Sequence, residues 1–174
     1  MVTLARAAGT TRSQPGSSPW FTELNERAAA LTHESIRVRL LAALEHLALS
    51  AEVWEFGCWH GDWMVWNMAG LDGEVLLWDW ERFAGPVPLG WDALHFALRQ
   101  GFLTREPIPH VARDLLERAP ELLAPFGVPQ ARARGVAQAY LVELAVRYTA
   151  DGQREAGGRT ARVEEWLLPQ LPMS

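Results

Sequence analysis

One stretch constrains this chain more than any other: Trp59 to Phe83, WHGDWMVWNMAGLDGEVLLWDWERF. Two β-prone runs, Trp66-Asn67-Met68-Ala69 and Glu74-Val75-Leu76-Leu77-Trp78, are joined there by Gly70-Leu71-Asp72-Gly73. Asp-Gly between apolar runs is a strong hairpin signal, because both residues tolerate the positive φ of a tight turn. A hairpin of this length brings the segments that flank it side by side. His60-Gly61-Asp62 and Asn67 lie on the near side, and Asp79-Trp80-Glu81 on the far side. Val53 to Trp59, short and aromatic, reads as a strand leading into the first loop.

The bulk properties exclude several classes. With 174 residues the chain suits one domain with a real core. It is 49% hydrophobic and 21% charged, as for a soluble globular protein. A net charge of -5 and a pI near 5.5 argue against a nucleic-acid partner, which would want a basic face. Cys58 is the single cysteine, so no internal disulfide can form, which fits a cytoplasmic location. No run of about 18 apolar residues is present, so no membrane span is expected, and the N-terminus lacks the apolar core of a signal peptide. All 16 basic residues are arginine.

The remainder reads mainly as helix. Residues 1–19, rich in Gly, Ser, Thr and Pro, are expected to form a disordered lead or linker. Ser18-Pro19 then opens a helix carrying Trp20, Leu24, Ala28 and Leu31. Thr32 or Ser35 caps a second, with Ile36, Leu40, Leu44 and Leu47 on one face. Ala84 to Gly90 reads as a turn-rich connection, and Asp92 to Arg99 as a helix. A short helix around Val111, Leu115 and Leu116 precedes Pro120, which restarts a turn or two, ended by Gly127. A long helix from Pro129 carries Val136, Tyr140, Leu144 and Tyr148, and a last one spans Ala161 to Leu168. The fold class is α+β, mainly helical, with one small hairpin carrying the loops of interest.

Singly, the motif residues say little: a lone Asp in a loop is usually a cap, and a His among aromatics is usually core. Their joint pattern says more. His-x-Asp, Asn five residues later, a hairpin, and an apolar strand ending in Asp resemble the catalytic signature of the protein-kinase-like fold. HGDWMVWN followed by LLWDWERF resembles the aminoglycoside phosphotransferase and choline kinase family more than the protein kinases. Pro88-Leu89-Gly90-Trp91-Asp92-Ala93-Leu94 is similar to the family segment whose aspartate opens a helix and braces the catalytic loop. The resemblance implies that Asp62 is the catalytic aspartate, meeting the acceptor hydroxyl. It implies that Asn67 and Asp79 are nucleotide-associated Mg2+ ligands, offering the hard oxygens this ion prefers. His60 and Asp92 would support the loop structurally. Glu81 either faces the acceptor pocket or is a solvated charge, the second being the preferred reading. Met64-Val65 stands where many members carry His-Pro or Thr-Pro, which keeps the spacing and changes the stiffness.

The resemblance covers residues 20–170, the C-terminal lobe. The family's N-terminal ATP-gripping lobe, with its phosphate-covering loop and phosphate-pairing lysine, has no counterpart in the about 60 residues before His60. Arginine does not replace that lysine, because its planar fork differs from a point-charge ammonium. The implied activity is γ-phosphoryl transfer from Mg2+-bound ATP (or GTP) to a hydroxyl of a small acceptor. The alternative is a catalytically inactive lobe that binds a metabolite or a protein. Expected partners are therefore nucleotide and acceptor, with a separate N-lobe chain or a second copy covering an apolar upper face. The C-terminal positions Tyr140, Glu143 and Arg147 read equally well as pocket or ordinary helix residues.

Overall fold

A computed structural model describes residues 1–172. The chain opens with a one-turn helix α1 (Val2–Ala5) and a short strand β1 (Thr11–Ser13). Helices α2 (Pro19–Ala29) and α3 (Glu34–Ala48) come next. Strand β2 (Trp54–Trp59) runs into the motif, and β3 (Met68–Leu71) and β4 (Glu74–Leu77) form the hairpin. After β5 (Ala84–Pro88) the chain is helical: α4 (Trp91–Phe102), α5 (Ile108–Leu123), α6 (Gln130–Ala150), then one-turn helices α7 (Gln153–Ala156) and α8 (Val163–Trp166).

The core is built around α6. Apolar residues occur all round it, so Val136, Tyr140, Leu141, Val142, Leu144 and Val146 are buried on every side. Helices α2, α3, α4 and α5 each lay an apolar stripe on it. Helix α2 begins as the sequence implies: the Phe21 N–H donates to Ser18 Oγ at 3.1 Å, and Pro19 occupies the first turn. Helix α3 starts after His33, which makes no side-chain cap, so neither Thr32 nor Ser35 serves as the cap expected. Beneath the motif, Trp59 and Trp91 pack edge to face at 5.2 Å, and Trp20 meets Trp91 likewise at 5.5 Å. These rings form the floor on which the loop after β2 rests.

Two small antiparallel sheets result. In the first the order is β1-β2-β5, with Thr11 opposite Phe56 and Phe56 opposite Pro88. The register shifts between Gly57 and Trp59, bending β2 just before His60. The second is the β3–β4 hairpin, paired from Met68–Leu77 to Leu71–Glu74, with Asp72 and Gly73 at φ 51° and 83°. That is the two-residue turn that Asp-Gly calls for.

Three expectations need correction. The lead is not disordered: Ala5 is buried, β1 pairs with β2, and the Cys58 thiol donates to Leu4 O at 2.9 Å. The lead crosses β2 at Gly57, where an added Cβ would lie 2.0 Å from Ala5 O, so only glycine allows the approach. The segment after Phe83 is not a mere connection, because Ala84–Pro88 supplies the edge strand β5. Helix α5 passes through Pro120 and ends at Leu123; the proline lies in the last turn, where one lost backbone bond is tolerated. Gly127 does end the next turn, at φ 78°. Among the described residues no helix is long and apolar enough to cross a membrane.

Candidate functional site

The loop at the end of β2 is held from below by α4. The Asp92 carboxylate accepts the N–H of His60 at 2.9 Å and of Gly61 at 3.2 Å, one on each oxygen. Asp92 is buried in the first turn of α4, so its charge also faces the positive end of the helix dipole. Burial raises its pKa, and the two N–H bonds work against that rise. The bracing role inferred for Asp92 therefore has direct contacts.

His60 ties the loop to the hairpin. Its ring is fully buried; Nε2–H donates to Trp78 O at 3.0 Å, and Nδ1 accepts the Asp62 N–H at 3.3 Å. Those partners require the neutral ring with the proton on Nε2. Gly61 is dictated by space and by backbone: φ is +83°, and an added Cβ would lie 2.2 Å from Arg82 O. Arg147 on α6 holds the same residue from the other side, with Nη1 donating to Gly61 O at 2.9 Å and the guanidinium 5.6 Å from the Trp59 ring centre.

Asp62 is gripped at both carboxylate oxygens. Asn67 Nδ2 donates to Oδ2 at 3.0 Å and to the Asp62 carbonyl at 3.0 Å. His95 Nε2 donates to Oδ1 at 3.2 Å. His95 Nδ1 in turn accepts the Tyr140 hydroxyl at 3.0 Å. The hydrogen bond from His95 is the main influence lowering the Asp62 pKa, with Arg99 and Arg147 adding to it against partial burial. Desolvation pushes the His95 pKa down to about 4, outweighing its carboxylate neighbour. At neutral pH the pair is thus an ionised Asp62 and a neutral His95, not an ion pair. Burial raises the Tyr140 pKa, which keeps its hydroxyl a donor.

Asn67 is buried, and with Nδ2 spent on Asp62 its Oδ1 accepts no protein hydrogen bond. Asp79 sits two residues beyond strand β4 in the left-handed region, φ 63° and ψ 60°, exposed and with no side-chain partner among the described residues. The main chain stitches the two neighbourhoods together, as Trp78 N–H donates to Asn67 O at 3.2 Å and Trp78 O accepts from His60. Among the described residues no three His, Cys, Asp or Glu side chains cluster to hold a metal unaided. An amide oxygen and one carboxylate fit an ion that takes few protein ligands and completes its shell with phosphate and water, as Mg2+ does.

A cavity of about 220 Å³ opens beside Asp62, lined by Glu81, Arg82, His95, Arg99, Arg147, Tyr148, Asp151 and Gln153. Glu81 is on its wall with its side chain 69% exposed, so it is both pocket-facing and solvated. A larger cavity, about 970 Å³ between α4 and α5, is lined by none of His60, Asp62, Asn67, Asp79 and Asp92 and is apart from this chemistry. Of the helix positions left open, Tyr140 partners His95, Arg147 partners Gly61, and Glu143 accepts a two-pronged ion pair from Arg27 at 2.8 and 3.0 Å. Sequence reasoning missed His95. Its signal was position: three residues after Asp92 it shares a helix face with the residue that braces the loop.

No family model matches the chain, and no curated protein matches it. Among solved structures it is similar to a glucosamine kinase in complex with glucosamine, ADP and inorganic phosphate, at 18% identity and a TM-score of 0.36, over 97% of this chain and 49% of that one. Two other glucosamine kinase crystal forms give 16% and 17% identity with TM-scores of 0.37 and 0.38, over 95% and 97% of this chain and 48% and 47% of theirs. The chain spans about half the length of these structures.

Proposed function

We propose that residues 20–170 form the catalytic lobe of a small-molecule phosphotransferase that moves the γ-phosphoryl of ATP or GTP to an acceptor hydroxyl. The observation that carries the reading is the state of Asp62: ionised, held at both oxygens by Asn67 and His95, and facing a cavity of about 220 Å³. In the proposed step the acceptor oxygen bonds to the γ-phosphorus, the bond to the bridging oxygen breaks, and the nucleoside diphosphate leaves. Asp62 orients the hydroxyl and receives its proton. Asn67 Oδ1 and the Asp79 carboxylate would hold Mg2+, which supplies charge neutralisation on the phosphates when bound. His60 and Asp92 fix the loop, so the work is positioning and electrostatics rather than covalent chemistry.

The face above the loop supports the same reading. Val65, Trp66, Leu71, Val75, Leu76, Trp78, Trp80 and Phe83 are all exposed, within 19 consecutive residues. Val75 and Leu76 are consecutive in strand β4 and point to opposite faces of the hairpin, so both faces expose apolar side chains; apolar exposure concentrated in one segment fits a surface that another structural unit covers. An ATP-gripping lobe, or a second copy of the chain, would fill that role. A second reading, an inactive lobe used for binding, is favoured by the complete lack of lysine to pair with nucleotide phosphates.

Calorimetric titration of Mg-ATP into the chain separates them. The phosphotransferase reading predicts binding that Asp79→Asn removes, because the substitution deletes a charged ligand. Absence of binding in the wild type, or equal binding in Asp79→Asn, would favour the second reading.

A further inference from the structure

The cavity beside Asp62 holds three carboxylates and three guanidiniums, and they are not evenly matched. Arg82 lies between two acids, 3.1 Å from Asp151 and 3.5 Å from Glu81, on the more exposed side of the cavity. The less exposed side is made by His95, Tyr148, Arg99 and Arg147; Asp62 is hydrogen-bonded to His95 and feels the charge of both arginines. Asp62 already accepts from Asn67 and His95. Neither Arg99 nor Arg147 is in ion-pair contact with a carboxylate among the described residues.

Arg99 is the less satisfied of the two. Its one side-chain hydrogen bond is to the Tyr148 hydroxyl, at 3.4 Å, and its buried Nε has no partner. Arg147 spends one donor on Gly61 O and leaves the others uncommitted. A half-buried guanidinium loses hydration and recovers it only through an anion or several acceptors. Two such groups in one cavity with a carboxylate that can take a hydroxyl set out a ligand in outline.

We infer that the acceptor carries an anionic group, a carboxylate or a phosphate, received by Arg99 and Arg147 while a hydroxyl of the same molecule faces Asp62. This deepens the phosphotransferase reading and rests on its placement of the acceptor. The planar fork of arginine matches both anions in two-pronged geometry. At about 220 Å³ the cavity is below the ~300–1,000 Å³ of ordinary ligand pockets, so the acceptor is small.

The test is nucleotide-free calorimetric titration of the full chain with four matched probes: gluconate, glucose 6-phosphate, glucose and glucosamine. At least one of the anions binds about tenfold or more tighter than both glucose and glucosamine. Gluconate leading identifies a carboxylate, and glucose 6-phosphate leading identifies a phosphate. Arg99→Gln, which removes the charge and shortens the side chain so that the Tyr148 hydroxyl contact is lost as well, weakens the preferred anion by about ten- to a hundredfold and leaves glucose unchanged. Arg99→Lys recovers part of the loss. Glucose or glucosamine binding as tightly as the better of the two anions, or no anion binding at millimolar concentration, overturns the inference. So does an undiminished anion preference in folded Arg99→Gln; if that variant does not fold, the wild-type ranking decides. Failure here, with Mg-ATP still bound through Asp79, would remove only the acceptor class. An anion preference in a chain that binds no Mg-ATP would remove the phosphotransferase reading and leave an anion-binding lobe.

Discussion

At the residue scale, two side chains set the chemistry that Asp62 can perform, and only one of them was legible. Asn67 was found by its spacing from Asp62; His95 was hidden, because a histidine on a helix between Leu94 and Phe96 reads as core. Its environment makes it a reporter. The His95 pKa falls to about 4 in the folded chain, below the ordinary value of 6.5. Between those values the unfolded chain binds the extra proton and the folded chain does not. Stability is therefore expected to fall as pH drops from about 6.5 to about 4, with no contribution from His95 above that window. Denaturant titrations across the window in wild type and His95→Gln check this: the variant should show a shallower slope, and identical slopes would contradict it. Gly61 gives a second test. Alanine there must adopt a left-handed conformation and push against Arg82 O, so Gly61→Ala should lose at least ~1–2 kcal/mol in chemical denaturation.

At the scale of elements, the hairpin was legible and its surroundings less so. Asp72-Gly73 announces its own turn, and the three- to four-residue apolar spacing of helices α2 and α3 announces their buried faces. Strand β5 was not legible because Gly85, Pro86 and Pro88 read as breakers, yet at a sheet edge a proline costs only a bond that solvent would otherwise take. Strand β1, three polar-leaning residues, exists only through pairing with β2 some forty positions later. Pairings of that separation leave no local trace in sequence. The joint between β2 and α4 is the element contact that matters most for the site. Asp92→Asn replaces one carboxylate oxygen with a donor facing a backbone N–H. It should cost ~1–3 kcal/mol of stability, and activity should drop with it, because the loop carrying Asp62 is released. Thermal denaturation and turnover measured on the same preparation check whether both fall together; activity lost with full stability would point to another role for Asp92.

At the scale of the molecule, the lobe has a finished underside and an unfinished top. Below the loop, aromatic rings and the α6 core are closed; above it, an apolar hairpin stands in solvent beside an unpartnered Asp79. The loop carrying Asp62 keeps its geometry through contacts made from beneath, by Asp92, His95 and Arg147, all within this chain. On that account metal and nucleotide are to be found between the loop and the hairpin end, not in the larger groove between α4 and α5. Paramagnetic NMR with Mn2+ replacing Mg2+ tests this most directly. With Mn-ATP bound, the Asn67 side-chain amide and the Asp79 backbone N–H should broaden first, while signals of Phe96 and Val111 in the groove stay sharp. Broadening centred on the groove, or Asn67 and Asp79 signals untouched by bound Mn-ATP, would contradict the account.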